Sequence, residues 1–362
     1  MQKFKSLSVR LKILVLALLT IYVGVWWLVG YAVGKKIAEG ELKTPLGSLI
    51  NEDIVPKLAD FPHPINGVWY TQAEAKIWKN RLPLGVIIEN HADSRPQTGL
   101  SRAEVVYEVL AEGGITRFLA VFLSQEADLG PVRSNRPYFL DWISEYSAGY
   151  AHVGGSPLAQ SLVKKYKIKD LDQFFLGAPT YQRVSNRFAP HNVYTATKKL
   201  RGAAATRGYK GPIKISSWSF VDEEAKPEMR AKKFTLNLGF LGTFGYDVRW
   251  GYQPRSNNYL RFNGNAKHID AATKKQLSTK NIIVQYVTIK PEGSGHGRIL
   301  QETIGSGKAI VFRDGKAVSG AWKKKSRTER TRFFDKKGKE VSLNRGNIWV
   351  EVVPVGSPVT YK

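Results

Sequence analysis

Two loops of the chain combine cationic or small polar side chains with a turn that leads into a predicted helix. The first has the sequence GPVRSNRP (130–137) and the second GGSP (154–157). A helix N-terminus presents backbone N–H groups without intrahelical partners and attracts anions, while the guanidinium fork of arginine suits phosphate and carboxylate groups. The pattern therefore predicts an anionic ligand. The candidate ligand-binding residues of these and neighbouring loops are Arg95, Arg117, Arg133, Ser134, Arg136, Gly154, Gly155, Ser156 and Asn192.

The arginines of the first loop also have a structural interpretation. Glu104, Glu108 and Glu112 lie in or beside a neighbouring predicted strand and could neutralise Arg133 and Arg136 inside the fold. Glycine-rich turns are weak indicators by themselves, and the phosphate-binding motif GxxxxGK[ST] does not occur. The sequence leaves both the anion site and the internal ion pairs open.

Glutamates and a histidine at the ends of predicted strands are candidates for further chemistry. Glu112 and His191 lie in loops where they could act as general acid or base. Glu89 and Glu108 offer the hard oxygen ligands that Mg²⁺ prefers. The six histidines show no HExxH or other metal-binding spacing, and GGSP is not the GxSxG of a serine hydrolase.

Residues 65–211, which contain these loops, predict an α/β domain with a mixed sheet and helices on its faces. Apolar or β-branched segments of strand length alternate with helical ones. The predicted strands are 84–89, 104–110, 117–123 and 149–153, and the predicted helices are 137–146, 156–166 and 195–207. Loops at the carboxyl edge of such a sheet converge where ligands usually bind.

Residues 212–358 predict a smaller, mostly antiparallel β domain. Short alternating segments dominate, and Asp314-Gly315 between two of them is typical of a two-residue hairpin. Lys337-Gly338 predicts a second hairpin. Nine Lys/Arg against Glu329 and Asp335 occupy residues 323–339. This basic run is either a lysine-protected sheet edge or a contact for a polyanion.

Residues 13–33 form a stretch of 21 residues without a charge. As a helix it would span roughly 31 Å, about one hydrocarbon core, and aromatic residues gather at its far end as they do at membrane interfaces. The distribution of Lys and Arg favours a cytoplasmic N-terminus. We therefore predict cytoplasmic residues 1–12, a single transmembrane helix 13–33 and an extracytoplasmic stalk 34–64. A cleaved signal peptide is the alternative, but its apolar region would be shorter.

The composition limits the partners. The chain has 362 residues with 55 Lys+Arg against 30 Asp+Glu, a formal charge of +25, and no cysteine. The missing cysteines exclude disulfides, thiolate zinc sites, cysteine nucleophiles and cysteine-linked lipid. A basic soluble protein suggests nucleic acid, but outside a membrane the polyanions are lipid headgroups and wall polymers. The expected partners are the lipid bilayer and an anionic cell-wall polymer or peptidoglycan, with no nucleic acid.

Long blocks of the sequence resemble the YerB-like family of bacterial cell-surface proteins. The resemblance rests on LGVIIENHADSRPQTGLSRAEVVYEVLAEGGITRFLAVF, GPVRSNRPYFLDW, AHVGGSPLAQ and APHNVYT in the first half, and on WGYQPRSNNYLRFNGNAKHIDAATKKQLSTKNIIVQYV and LNRGNIWVEVVP in the second. It implies an N-terminal α/β domain followed by a smaller C-terminal domain. Many members are lipoproteins, so the resemblance implies that the helix 13–33 replaces the lipid here. A weaker similarity concerns the LytR-CpsA-Psr phosphotransferases, but Ser134 follows Arg133 where those enzymes have an Arg-Asp pair.

Together these features predict a membrane-anchored extracytoplasmic protein that binds an anionic or glycan-linked envelope ligand, as a cell-wall assembly or binding factor. One alternative is a phosphotransferase or hydrolase acting on envelope glycopolymers or lipid-linked precursors. Another is a regulator that binds a second envelope protein. No cofactor is evident, and Mg²⁺ is expected only under the phosphotransferase alternative.

Overall fold

The computed structural model describes residues 9–38, 59–223, 234–240, 245–294 and 296–362. The chain divides into two units, Met1–Leu58 and Ala59–Lys362. Most of the predicted cytoplasmic segment (1–12) and of the predicted stalk (34–64) lies outside the described residues. The second unit holds every loop that the sequence analysis selected.

The longest helix covers the predicted membrane segment. The helices are α1 (Val9–Ala38), α2 (Gln72–Trp78), α3 (Phe139–Tyr146), α4 (Pro157–Lys165), α5 (Gln173–Thr180) and α6 (Thr197–Thr206). Judged on the residues that the structure describes, no helix is both long and apolar enough to cross a membrane. The structure thus confirms a helix over residues 13–33 and does not show a membrane span.

Most strands belong to two sheets. In chain order they are β1 (Phe61–Pro62), β2 (Trp69–Tyr70), β3 (Leu84–Glu89), β4 (Val105–Leu110), β5 (Thr116–Phe122), β6 (Asp128–Leu129), β7 (Gly149–His152), β8 (Lys169–Asp172), β9 (Gln182–Arg183), β10 (Val193–Ala196), β11 (Phe220–Val221), β12 (Thr235–Leu238), β13 (Val248–Gln253), β14 (Asn258–Asn263), β15 (Ala266–Lys267), β16 (Ser278–Thr279), β17 (Asn281–Val287), β18 (Ile289–Pro291), β19 (Ile299–Gln301), β20 (Gly305–Arg313), β21 (Lys316–Lys324), β22 (Arg332–Asp335), β23 (Leu343–Asn344), β24 (Ile348–Pro354) and β25 (Val359–Tyr361).

A ten-stranded mixed sheet forms the centre of the second unit. Its spatial order is β22-β21-β20-β17-β24-β4-β5-β3-β7-β8. β24 pairs in parallel with both β4 and β17, and β7 pairs in parallel with β3 and β8, while the other neighbours are antiparallel. The predicted mixed α/β sheet is confirmed. The sheet also crosses the predicted boundary between residues 211 and 212, because five strands of the second half join five strands of the first half where β24 pairs with β4.

Both faces of this sheet are covered, which explains its continuous apolar strands. Val86 faces a cluster that contains Leu200 of α6 and Trp250 of β13, whereas Ile87 faces a cluster that contains Trp142 of α3. β13 belongs to a separate six-stranded antiparallel sheet, β15-β14-β13-β12-β25 with β16 beside β14. The predicted antiparallel β structure of the second half is therefore confirmed as this layer.

Some element bounds follow from the local sequence, whereas others depend on pairing with distant strands. β3 covers the predicted residues 84–89, and Asp314 and Gly315 have the positive φ values, 52° and 68°, that a tight hairpin between β20 and β21 requires. The predicted helix 195–207 is wrong at its start. Residues 193–196 pair as β10 with β6 and β9, so the helix begins only at Thr197.

Gly320 in β21 tests the packing of the sheet edge. A Cβ at this position would lie 1.8 Å from the backbone oxygen of Phe334 in the adjacent strand. We expect Gly320→Ala to lower the free energy of unfolding by about 1–3 kcal/mol because backbone must move. Gly202 lies in α6 with open space around an added Cβ, so Gly202→Ala should instead raise the free energy of unfolding by roughly 0.5–1 kcal/mol. Urea denaturation checks both, and equal effects would contradict this packing.

Candidate functional site

The loops selected from the sequence meet at one edge of the ten-stranded sheet. β3, β4 and β7 end at this edge, and the antiparallel β5 begins there, with Glu89 paired opposite Arg117. The segment 130–135 extends the edge, because Arg133 N–H donates to the Ile87 oxygen at 2.9 Å and Asn135 N–H to the Gly154 oxygen at 2.9 Å. We call the loops 90–97, 111–115, 130–137 and 153–156 the loop rim.

Arg117, at the start of β5, and Arg136, in the loop rim, share one glutamate. Arg117 lies 3.1 Å from Glu112 and Arg136 bonds to the same carboxylate. Burial disfavours the charged carboxylate, but the two guanidinium groups outweigh it and hold the pKa of Glu112 below its ordinary value. Burial, reinforced by the nearby Arg136 charge, lowers the pKa of Arg117 to about 10. The candidate acid or base Glu112 is thus engaged in an internal ion-pair cluster.

The third arginine is also paired internally. Arg133 Nε lies 3.0 Å from Glu89 Oε1, and the other oxygen of this carboxylate lies 3.0 Å from His191 Nδ1. The side chain of Glu89 is 4% exposed. Of the two interpretations of the arginines, the structure shows the ion pairs, although Glu89 rather than Glu104 or Glu108 supplies the partner of Arg133. Ligand binding by Arg117, Arg133 and Arg136 stays a prediction.

Carboxylates of the chain itself occupy the glycine turn. The Gly154 N–H donates to Asp172 Oδ1 at 2.9 Å. Ser156 caps α4 by accepting from the Ala159 N–H at 3.2 Å, and its hydroxyl donates to Glu292 Oε1 at 3.3 Å. Asp172 and Glu292 therefore supply negative charge where the sequence predicted an external anion. Gly155 packs against the Asn135 backbone, which leaves little room for a side chain.

The remaining predicted ligand residues have structural contacts of their own. Ser134 accepts a bond from Arg117 Nη1 through its backbone oxygen at 3.1 Å. Asn192 accepts from Arg183 at 2.7 Å and donates to the backbone oxygens of Val184 and Arg187, which fixes the loop before β10. Ser134 lies in the loop rim and Asn192 beside it, and their roles toward a ligand stay predictions.

Glu108, the second metal candidate, lies inside the sheet. It is fully buried, it accepts bonds from Asn90 at 3.2 Å and Thr116 at 2.7 Å, and it pairs with Arg261 of β14. Glu351 sits directly opposite on β24, and burial, together with the Glu108 charge, raises its pKa far above the ordinary value. Glu108 is therefore committed to a buried ion pair.

A chain of hydrogen bonds runs from this pair to the loop rim. Arg261 bonds to His268 Nδ1, and His268 Nε2 lies 2.7 Å from Gln97 Oε1. Gln97 Nε2 donates to the backbone oxygen of Glu89 at 3.0 Å and to Asn90 Oδ1 at 2.9 Å. Arg95 Nε donates to the same Asn90 oxygen at 3.1 Å. Buried side chains from both halves of the chain thus orient the first loop of the rim.

One open groove remains beside the rim. It has a volume of about 420 Å³ and is lined by Asp93, Arg95, Asn186, Arg187, Phe188 and His191; we call it the arginine groove. Arg95 and His191 are candidates from the sequence, whereas the other four lining residues were not predicted. The segment QRVSNRFAPHN (182–192), which runs from β9 to the start of β10 and contains two arginines and a phenylalanine, was the available signal.

Arg95 and Arg187 in this groove differ from Arg117, Arg133 and Arg136, which pair with glutamates. Arg187 donates to the backbone oxygens of Asp93 at 2.7 Å and Pro96 at 3.0 Å, and Arg95 donates to Asn90 and to the Gly245 oxygen. Among the described side chains, no carboxylate pairs with either guanidinium. Burial and the charge of Arg261 lower the pKa of Arg95, and its Nη2 is buried without a hydrogen-bond partner. Neutral oxygens rather than ion pairs therefore hold both guanidinium groups, in a groove that also contains Asp93.

Comparison with known proteins finds one family over most of the chain. Residues 67–210 match "Protein of unknown function (DUF3048) N-terminal domain", and residues 240–350 match the C-terminal domain of the same description. A protein of Bacillus subtilis (strain 168) described as "Putative lipoprotein YerB" is 30% identical over 317 residues, which cover 85% of this chain and 91% of the relative. The crystal structure of YerB protein from Bacillus subtilis superposes with a TM-score of 0.74 at 26% identity, covering 83% of this chain and 100% of that one.

The buried His268 predicts a pH dependence. Burial, with the charges of Arg261 and Arg95, lowers the pKa of His268 far below its ordinary value. Unfolding lets it take up a proton below about pH 6.5, so its stabilising contribution is complete above that pH and is lost as the pH falls.

We therefore expect the free energy of unfolding to fall between pH 7.5 and 5.5, and the fall to be smaller by about 1 kcal/mol in His268→Gln. Urea denaturation at the two pH values measures this difference. The exposed His296 provides the control, since His296→Gln should keep the full fall. An equal fall in His268→Gln and the unaltered protein would contradict the buried neutral imidazole.

Proposed function

The chain belongs to the DUF3048 family, and we propose that it acts in the cell envelope outside the cytoplasm as a binding protein for an anionic, glycan-linked ligand. The observation that carries this proposal is the arginine groove. Arg95 and Arg187 are held there by neutral oxygens, so their charge is available to a ligand. Charge-assisted bonds from guanidinium to phosphate or carboxylate are among the stronger polar contacts.

The lining of the groove suits a sugar that carries a phosphate or carboxylate. Phe188 is 91% exposed beside the two arginines, which places an apolar ring next to cations. Asn186, Asp93 and His191 add neutral and acidic polar groups for hydroxyls. The formal charge of +25 supports attraction of polyanions over longer distances.

The location outside the cytoplasm rests on the N-terminal sequence and on the relative. Residues 13–33 carry no charge, and the relative at 30% identity is described as a lipoprotein. Because this chain has no cysteine, it cannot carry a cysteine-linked lipid, and we propose that the segment 13–33 attaches it to the membrane instead. The basic run 323–339 would then face the same polyanions.

Membrane extraction tests the attachment. We expect the full-length protein to sediment with membranes after washing at alkaline pH in carbonate, and to dissolve only in detergent. Burial of apolar residues in the hydrocarbon core holds an inserted helix, and alkaline carbonate does not weaken it. Immunoblotting of pellet and supernatant measures the distribution. Release into the carbonate supernatant would contradict an inserted segment.

Binding of a defined polyanion tests the groove. A synthetic glycerol-phosphate oligomer should bind the purified protein with an affinity that falls as salt rises. Arg95→Ala and Arg187→Ala should each weaken binding by about 10–100-fold, since each removes a charge-assisted bond of roughly 1.5–3 kcal/mol. Isothermal titration calorimetry measures the affinities.

Two variants separate the effect of overall charge from the effect of the groove. Arg255 is exposed and lies outside the groove, so Arg255→Ala removes the same charge and should change the affinity less than threefold. Arg187→Lys keeps the charge and should bind better than Arg187→Ala. Equal losses in Arg255→Ala and Arg187→Ala would mean that only the overall charge attracts the oligomer, and the groove would then not be its site.

A further inference from the structure

Three potential metal ligands converge at one wall of the arginine groove. They are His91 and Asp93, from the turn after β3, and His191, from the loop before β10. One nitrogen of each imidazole and one oxygen of Asp93 all lie within 4.8 Å of one another. The two rings stack with their centroids 4.6 Å apart and their planes at 17°. Two imidazole nitrogens and one carboxylate oxygen are a common donor set for transition metals.

The backbone turn directs a lone pair of His91 toward Asp93. The N–H of Asp93 donates to His91 Nδ1 at 3.2 Å, so this nitrogen presents its lone pair on that side. Asp93 Oδ2 lies 3.4 Å from the same nitrogen. A cation held between the two atoms would break this hydrogen bond and replace the Asp93 N–H as the partner of the lone pair.

Glu89 orients the second imidazole. Its Oε2 lies 3.0 Å from His191 Nδ1, while Arg133 holds its Oε1 at 3.0 Å. Neither atom of this contact has a hydrogen-bond partner as oriented here, and rotation of the imidazole would let Nδ1–H donate to Oε2 and leave the lone pair of Nε2 for a metal. His191 Nε2 lies 4.0 Å from Asp93 Oδ2. Metal-bound histidines almost always donate their other ring N–H to such a partner. The buried Glu89 therefore has the place of the group that supports a metal ligand.

As stacked, the two imidazole planes are nearly parallel, so one ring has to turn before both nitrogens can bind the same ion. Tetrahedral coordination at ~2.0–2.1 Å would bring the donors to about 3.3 Å from one another. The side chain of Asp93 is 72% exposed and can rotate toward the imidazoles without disturbing the core.

We propose that His91, Asp93 and His191 bind a divalent transition-metal ion, with Zn²⁺ as the best match to two nitrogens and one oxygen. The fourth position would face the arginine groove, which Asp93 and His191 both line. Ca²⁺ and Mg²⁺ fit less well because they require more oxygen ligands. An ion here would add positive charge beside Arg95 and Arg187. The metal site goes beyond the proposed function, and it stands on its own three ligands whether or not the groove binds a glycan.

Calorimetric titration of the full-length protein in detergent tests this site without any polymer. After dialysis against a chelator, ZnCl₂ should bind with one-to-one stoichiometry, and MgCl₂ should give no saturable heat. His91→Ala, His191→Ala and Asp93→Asn should each weaken Zn²⁺ binding by at least tenfold. Glu89→Gln, which retains all three ligands, should weaken it by about 10–100-fold.

His296→Ala removes an exposed histidine away from the cluster and should bind Zn²⁺ like the unaltered protein. Circular dichroism checks the fold of each variant, and Asp93→Asn keeps the test decisive if a histidine variant fails to fold. Absence of Zn²⁺ binding in the unaltered protein, or unchanged affinity in Asp93→Asn and in the folded histidine variants, would overturn the proposal. Zn²⁺ binding with no binding of the glycerol-phosphate oligomer would leave the metal site standing and reject the proposed function.

Discussion

Burial of the Arg261 guanidinium between the two halves of the chain is the interaction on which the structure depends. Its partner Glu108 lies on β4, at the centre of the ten-stranded sheet, and Glu351 lies beside it on β24. An unpaired charge at this depth would cost several kcal/mol, so the strands and the antiparallel layer that carries Arg261 have to form together. Trp250 completes the arrangement by donating to Glu351 Oε1 at 2.8 Å.

This buried pair also explains how the site is held. Hydrogen bonds through His268, Gln97 and Asn90 connect the buried pair to Arg95. The guanidinium of Arg95 at the groove is therefore held by side chains from both halves of the chain. The loop rim and the arginine groove then differ in charge. Glu112 and Glu89 neutralise Arg117, Arg133 and Arg136 internally. In the groove, neutral oxygens hold Arg95 and Arg187 and leave the charge of these two arginines for a ligand.

Local signals in the sequence were enough for much of the fold. The apolar run 84–89, the Ser-Pro start of α4 and the Asp314-Gly315 turn each have a local cause, and the structure confirms them. The convergence of the loops followed from the alternation of strands and helices. The continuity of the sheet between the halves did not, because β4 and β24 are more than two hundred residues apart and no local pattern indicates their pairing. For the same reason the partners of the arginines could not be assigned, and neither could the proximity of His191 to His91 and Asp93.

A double-mutant cycle between Glu108 and Arg261 tests the central claim most directly. The free energy of unfolding is measured in urea for Glu108→Gln, Arg261→Met, the double variant and the unaltered protein. Removal of one partner leaves the other group buried and uncompensated, so each single variant should lose about 3–5 kcal/mol, and the double variant should lose less than the sum by about 1–3 kcal/mol. Losses that add to within about 0.5 kcal/mol would show that the two groups do not stabilise each other and would contradict the account.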